Sequence, residues 1–124
     1  MHAKARILCT EDDADTRDLL RVLLELKGLE VICAENAVEA ISLATAAKFD
    51  LYILDNCLPE MPGDDLCRKL REFDSTTPIL FYSGAAFESD RSQALAAGAQ
   101  GYVVKPAEPA KLISEIFSLI SHRE

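Results

Sequence analysis

The feature that most constrains this chain is an alternation repeated five times: a short apolar run rich in strand formers, then a segment with helical spacing. Residues 6–10 form the first run. Residues 13–27 follow, carrying Leu19, Leu20, Val22, Leu23, Leu24 and Leu26, with Gly28 as the stop. A second strand is predicted over 29–34, and Asn36 is placed to cap a helix reaching about Lys48. The run 50–54 ends abruptly at Asp55, and 58–63 has the Pro and Gly content of a turn. A helix over about 64–73 has acids in its first turn, as the helix dipole favours. Pro78 precedes a strand at 79–82, an alanine-rich helix at 88–97 ends on Gly98, and a fifth strand covers 101–104. The last helix, about 108–121, is expected to bury Leu112, Ile113, Ile116, Phe117 and Ile120.

Strands without polar alternation, separated by amphipathic helices, imply a parallel sheet covered on both faces. Right-handed crossovers then give an α/β, three-layer, doubly wound fold. The 124 residues suit one domain, expected to run over 1–124 with no output domain, and the 49% hydrophobic content can fill a core without staples. Of the four cysteines, Cys9 and Cys33 lie in strand runs and read as small core residues, while Cys57 and Cys67 read as inert thiols. No Cys-x-x-Cys occurs and the histidines, His2 and His122, sit near the termini, which argues against zinc. The net charge of -8 disfavours direct nucleic-acid binding and docking on anionic membranes. The amino-terminal run is too short and too soon charged for a signal peptide, and no stretch has transmembrane length. A cytoplasmic location is the expectation.

The chemistry follows from what comes after each strand. Glu11, Asp12 and Asp13 follow the first, Asp55 the third, Ser83 the fourth and Lys105 the fifth. In a parallel sheet these are all carboxyl ends, so the groups converge on one edge, where such folds bind ligands. Clustered carboxylates repel one another, and a hard divalent cation relieves that cost. Mg²⁺ suits a site offering a few protein oxygens and room for water. With Lys105 as a second positive charge, the edge could accept a phosphoryl group, with Asp55 as nucleophile and Ser83 hydrogen-bonding a phosphoryl oxygen.

Glu11-Asp12, Asp55 followed by Leu58-Pro59, Ser83-Gly84, and Tyr102-Val103-Val104-Lys105-Pro106, each after its strand, resemble the receiver domain of bacterial two-component response regulators. Arg17, five residues after Asp12, supports that register and leaves Asp13 outside the acidic pair. The resemblance covers essentially the whole chain and implies the flavodoxin-like strand order 2-1-3-4-5. It further implies that Asp55 is the phosphoacceptor and that Glu11, Asp12, Asp55 and the backbone carbonyl of Cys57 hold Mg²⁺. Lys105 would pair with the phosphoryl group, Ser83 would move toward it, Tyr102 would change rotamer, and Lys105-Pro106 would be cis. The implied partners are a histidine kinase or histidine phosphotransfer protein as donor and a downstream effector protein or domain, with a phosphorylation-dependent dimer as one form of output. Pro62 before Gly63 and Ala107 after Lys105-Pro106 depart from the commonest family pattern. Cys57 and Ala85 stand where the family tunes hydrolysis of the acyl phosphate; neither orients an attacking water well, so slow self-dephosphorylation is expected.

Other readings compete. An acidic run is often a helix cap, Ser-Gly is a common turn, and Tyr102 could be an ordinary strand aromatic. A phosphohydrolase with an aspartate nucleophile would place a second aspartate at position 57, where Cys57 stands. A flavin carrier would not tolerate Glu11-Asp12-Asp13 in its phosphate cradle, and a Gly-x-Gly-x-x-Gly fingerprint is absent there. The remaining alternative is a phosphate-independent interaction module on the same scaffold, for which the full set Glu11, Asp12, Asp55, Ser83 and Lys105 has no use.

Overall fold

A computed structural model of the chain describes residues 4–121. His2 and His122 lie outside the described residues. Ten elements alternate: β1 Arg6–Thr10, α1 Ala14–Glu25, β2 Glu30–Ala34, α2 Ala37–Ala46, β3 Leu51–Leu54, α3 Gly63–Arg71, β4 Ile79–Ser83, α4 Glu88–Ala97, β5 Gly101–Val104 and α5 Pro109–Ser121. The five strands form one sheet in the order β2-β1-β3-β4-β5, every pair parallel. The expected fold class and strand order are therefore both present.

The strands have two buried faces because a helix layer covers each. Ile7, Cys9, Leu51, Ile53, Leu80 and Val103 point toward Leu20 and Leu24 of α1 and Leu112 and Ile116 of α5. Leu8, Tyr52, Leu54, Ile79 and Phe81 point the other way, onto α2, α3 and α4. Small residues dominate two of those contacts: Ala37, Ala40 and Ala44 on α2, and Ala94 and Ala97 on α4. They bring the helix backbones close to the sheet.

Helix ends obey local chemistry. Asp13 caps α1, its Oδ2 accepting the Thr16 amide at 2.9 Å, and Asn36 caps α2 through the Glu39 amide at 2.8 Å. Gly98 ends α4 with φ of 118°, a conformation that favours glycine. Two burial expectations need correction. Phe117 is 38% exposed, because α5 meets the sheet through Leu112 and Ile116 and turns Phe117 outward. Cys9 is wholly buried, but Cys33 is only half-buried, at the rim of the layer that α1 covers.

Candidate functional site

Strand register builds the site. Thr10 pairs with Leu54, and Ser83 pairs with Val104. The next residue of each strand continues the ladder: the Asp55 amide donates to the Thr10 carbonyl at 3.2 Å, the Glu11 amide to Ala34 at 3.0 Å, and the Lys105 amide to Ser83 at 2.8 Å. The positions predicted from the sequence thus leave the sheet at one carboxyl edge. Glu11, Asp55 and Ser83 are buried there, Lys105 is half-buried and Asp12 is exposed.

Lys105 bridges the two buried acids. Its Nζ donates to Glu11 Oε1 at 2.5 Å and to Asp55 Oδ2 at 3.0 Å. The other oxygen of Asp55, Oδ1, accepts the Cys57 amide at 3.1 Å. These contacts separate the two carboxylates electrostatically. Burial raises the pKa of Glu11, aided by the charge of Asp55 and only partly opposed by Lys105 and the Asp13 amide. Burial also opposes ionisation of Asp55, but the Cys57 amide, Lys105 and the Ser83 hydroxyl outweigh it and hold that carboxyl below its ordinary value. Asp55 is consequently the better anion of the pair.

Glu11, Asp12 and Asp55 each present one carboxylate oxygen, all within 4.8 Å of one another. Three hard oxygen donors at that spacing, with one cationic side chain between them, fit a divalent cation of the Mg²⁺ type. Asp13 is turned away into its capping role, as the register of Arg17 required. Arg17 does more than mark register: its Nη1 donates to the carbonyls of Glu11 at 2.8 Å and Asp12 at 2.9 Å, fixing the acidic loop.

Ser83 sits beside Asp55, and its Oγ accepts the Ala85 amide at 3.2 Å. The Tyr102 hydroxyl donates to the Ala85 carbonyl at 2.6 Å, and its ring stacks on Phe81 with centroids 5.6 Å apart. Tyr102 is therefore tied to the loop that carries Ser83. Cys57 is exposed, and Lys105-Pro106 is cis as the resemblance implied.

One contributor was missed. The Gly63 amide donates to the Asn56 carbonyl at 2.8 Å, and the first turn of α3 lies against the Asp55 loop. A Cβ on Gly63 would stand 2.8 Å from Asn56 Cα and 2.9 Å from Phe81 Cε2. The Pro62-Gly63 pair signalled a turn, but not that this turn buttresses the site.

With this geometry in hand, comparison with known proteins is direct. A family model described as the response regulator receiver domain matches residues 7–117. A 14.6 kDa protein of Leptolyngbya boryana is 42% identical over 113 residues, covering 90% of this chain and 86% of that protein. A Picosynechococcus protein named "Probable transcriptional regulatory protein" is 38% identical over 131 residues, covering all of this chain but only 52% of that protein. The chain thus spans about half the length of that regulator. Among solved structures, a receiver domain protein from Methanospirillum hungatei superposes with a TM-score of 0.93 at 29% identity, covering 98% of this chain and 97% of that one.

Proposed function

This chain belongs to the response regulator receiver domain family, and from that premise we propose that it takes a phosphoryl group onto Asp55 and switches conformation in response. The single observation that carries this reading is the Asp55 carboxylate, buried and held ionised between the Cys57 amide and the Lys105 ammonium. A carboxylate so placed is a nucleophile pointed at an edge built to receive anionic oxygens.

The role of each residue follows from its position. Asp55 forms the bond to phosphorus, and the donor's bond to phosphorus breaks. Lys105, already between Glu11 and Asp55, neutralises charge on the transferred group. A divalent cation held by Glu11, Asp12, Asp55 and the Cys57 backbone carbonyl would supply further neutralisation and orientation. Ser83 is close enough to Asp55 to hydrogen-bond an oxygen of the product. Its movement would draw on the loop that Tyr102 holds through Ala85, altering the surface of α4, β5 and α5.

The donor would be a phosphohistidine on a kinase or phosphotransfer protein, and the recipient of the signal an effector protein or domain. Among the described residues no helix is long and apolar enough to cross a membrane.

The test is intact-protein mass after incubation with a small phosphodonor and Mg²⁺, for the native chain and Asp55→Asn. One phosphoryl adduct is expected, absent in the variant and absent without Mg²⁺. Equal labelling of Asp55→Asn would refute the assignment, and no adduct on the native chain would favour the phosphate-independent interaction module.

A further inference from the structure

Away from the acidic edge, the register places Cys9 of β1 directly beside Cys33 of β2. Both side chains belong to the α1/α5 side of the sheet, Cys9 within the core cluster and Cys33 packed against it. Adjacent strands lie about 4.7–4.9 Å apart, inside the roughly 4.4–6.8 Å between Cα atoms that a disulfide spans. The exposed Arg21 of α1 lies beside Cys33, close enough for its charge to act on that thiol.

The two thiols are not equivalent. The neighbouring Cys9 thiol holds the Cys33 thiol below its ordinary pKa, and the guanidinium of Arg21 and the charge of Arg17 add to this against the opposing effect of burial. Cys9 is wholly buried. Half-buried Cys33 is also the one that solvent reaches. Cys67, by contrast, is buried, with its thiol pushed up to about 11 by burial and donating to the Ala97 carbonyl.

We propose that Cys33 is a modification site, a peroxide-reactive thiol that Cys9 resolves into a β1–β2 disulfide. The Cys33 sulfur attacks one oxygen of hydrogen peroxide and the O–O bond breaks. The departing hydroxide takes up the thiol proton to become water; Cys33 is oxidised to sulfenic acid and the peroxide is reduced. The Cys9 sulfur then attacks the Cys33 sulfur, the S–S bond forms, the S–O bond breaks, and hydroxyl leaves as water with the proton of Cys9. Two thiols and one peroxide give one disulfide and two waters. Arg21 favours the first step by stabilising the anionic sulfur.

The experiment treats the full chain with one equivalent of hydrogen peroxide and no phosphodonor, then reads intact mass and maps tryptic peptides. Trypsin separates the two cysteines into peptides 7–17 and 28–48. A loss of two hydrogens and a cross-link between those peptides is expected. Cys9→Ser should instead leave a sulfenic acid on Cys33 that dimedone labels, Cys33→Ser should give neither product, and Arg21→Gln should slow labelling several-fold. A native chain that loses no hydrogens, or that is oxidised first at Cys57, would overturn the proposal. Cys9 is wholly buried, so the native cross-link map stands as the deciding readout wherever Cys9→Ser fails to fold.

Discussion

Lys105 Nζ lies 2.5 Å from Glu11 Oε1, joining groups 94 positions apart in the chain. The same ammonium reaches Asp55, so one half-buried cation compensates two buried carboxylates. Lys105→Met leaves those charges facing each other. It should cost about 1–2 kcal/mol without metal, discounted for the partial exposure of the lysine. Added Mg²⁺ should restore more stability to the variant than it adds to the native chain, because more uncompensated charge awaits it. Urea midpoints with Mg²⁺ and with EDTA measure both; an equal Mg²⁺ effect in the two proteins contradicts the shared-charge account.

Tyr102→Phe keeps the ring stacked on Phe81 and deletes only the bond to the Ala85 carbonyl. Global stability should fall by no more than about 1 kcal/mol. Amide exchange over residues 84–87 should nevertheless quicken, because the hydroxyl ties that loop to β5. Unchanged exchange would mean the loop is held by other contacts.

Gly63→Ala forces a methyl group against the Asp55 loop and the ring of Phe81. A loss of about 1–3 kcal/mol is expected, as for overpacked sites. Because the backbone of residues 55–56 must shift, phosphoryl uptake should fall along with stability. A fully stable variant with native uptake would show that α3 does not support the site.

Asp74 offers a pH test remote from the acidic cluster. Burial would raise its pKa, but the Thr77 amide and hydroxyl, the Tyr52 hydroxyl and the Thr76 amide lower it from 3.8 to about 2. A carboxyl with a depressed folded-state pKa contributes stability above its unfolded value and loses it as pH falls through the folded one. The native chain should therefore exceed Asp74→Asn by about 1 kcal/mol near neutrality, after discounting for solvent screening. That gap should narrow between pH 3.8 and about 2. Urea denaturation at several pH values reads it, and a gap independent of pH would remove the charge from the explanation.

The lifetime of the phosphoryl group proposed for Asp55 bears on output. Cys57 is exposed and Ala85 carries no polar side-chain atom, so neither side chain is suited to orient a water toward a phosphoryl group on Asp55. Slow hydrolysis, over minutes or longer, is expected. Cys57→Asp, which adds an oxygen able to orient water, should shorten it. Decay of the mass adduct measures this, and a native half-life of seconds would end the idea.

Element type, order and the edge that carries the chemistry were legible in the sequence, because apolar period and turn residues are local signals. Ile7, Leu51 and Ile79 sit in uninterrupted apolar runs, and only a sheet covered on both faces buries such runs completely. Once the strands are parallel, their last residues and those that follow them must share an edge, which placed Glu11, Asp55, Ser83 and Lys105 together.

Tertiary structure decided the rest, since it depends on which distant atoms meet. No local pattern encodes that Lys105 falls between Glu11 and Asp55, that Tyr102 grips Ala85, or that Phe117 turns outward while Leu112 and Ile116 of the same helix are buried. Cys9 and Cys33 look alike in their strand runs. Only the pairing of β1 with β2, and Arg21 reaching over from α1, makes one a buried thiol and the other a half-exposed partner beside a cation. The physical reason is common to all four: periodicity specifies which face a side chain takes, whereas burial, charge and hydrogen-bond partners are set by strand order and helix docking over separations that local sequence does not record.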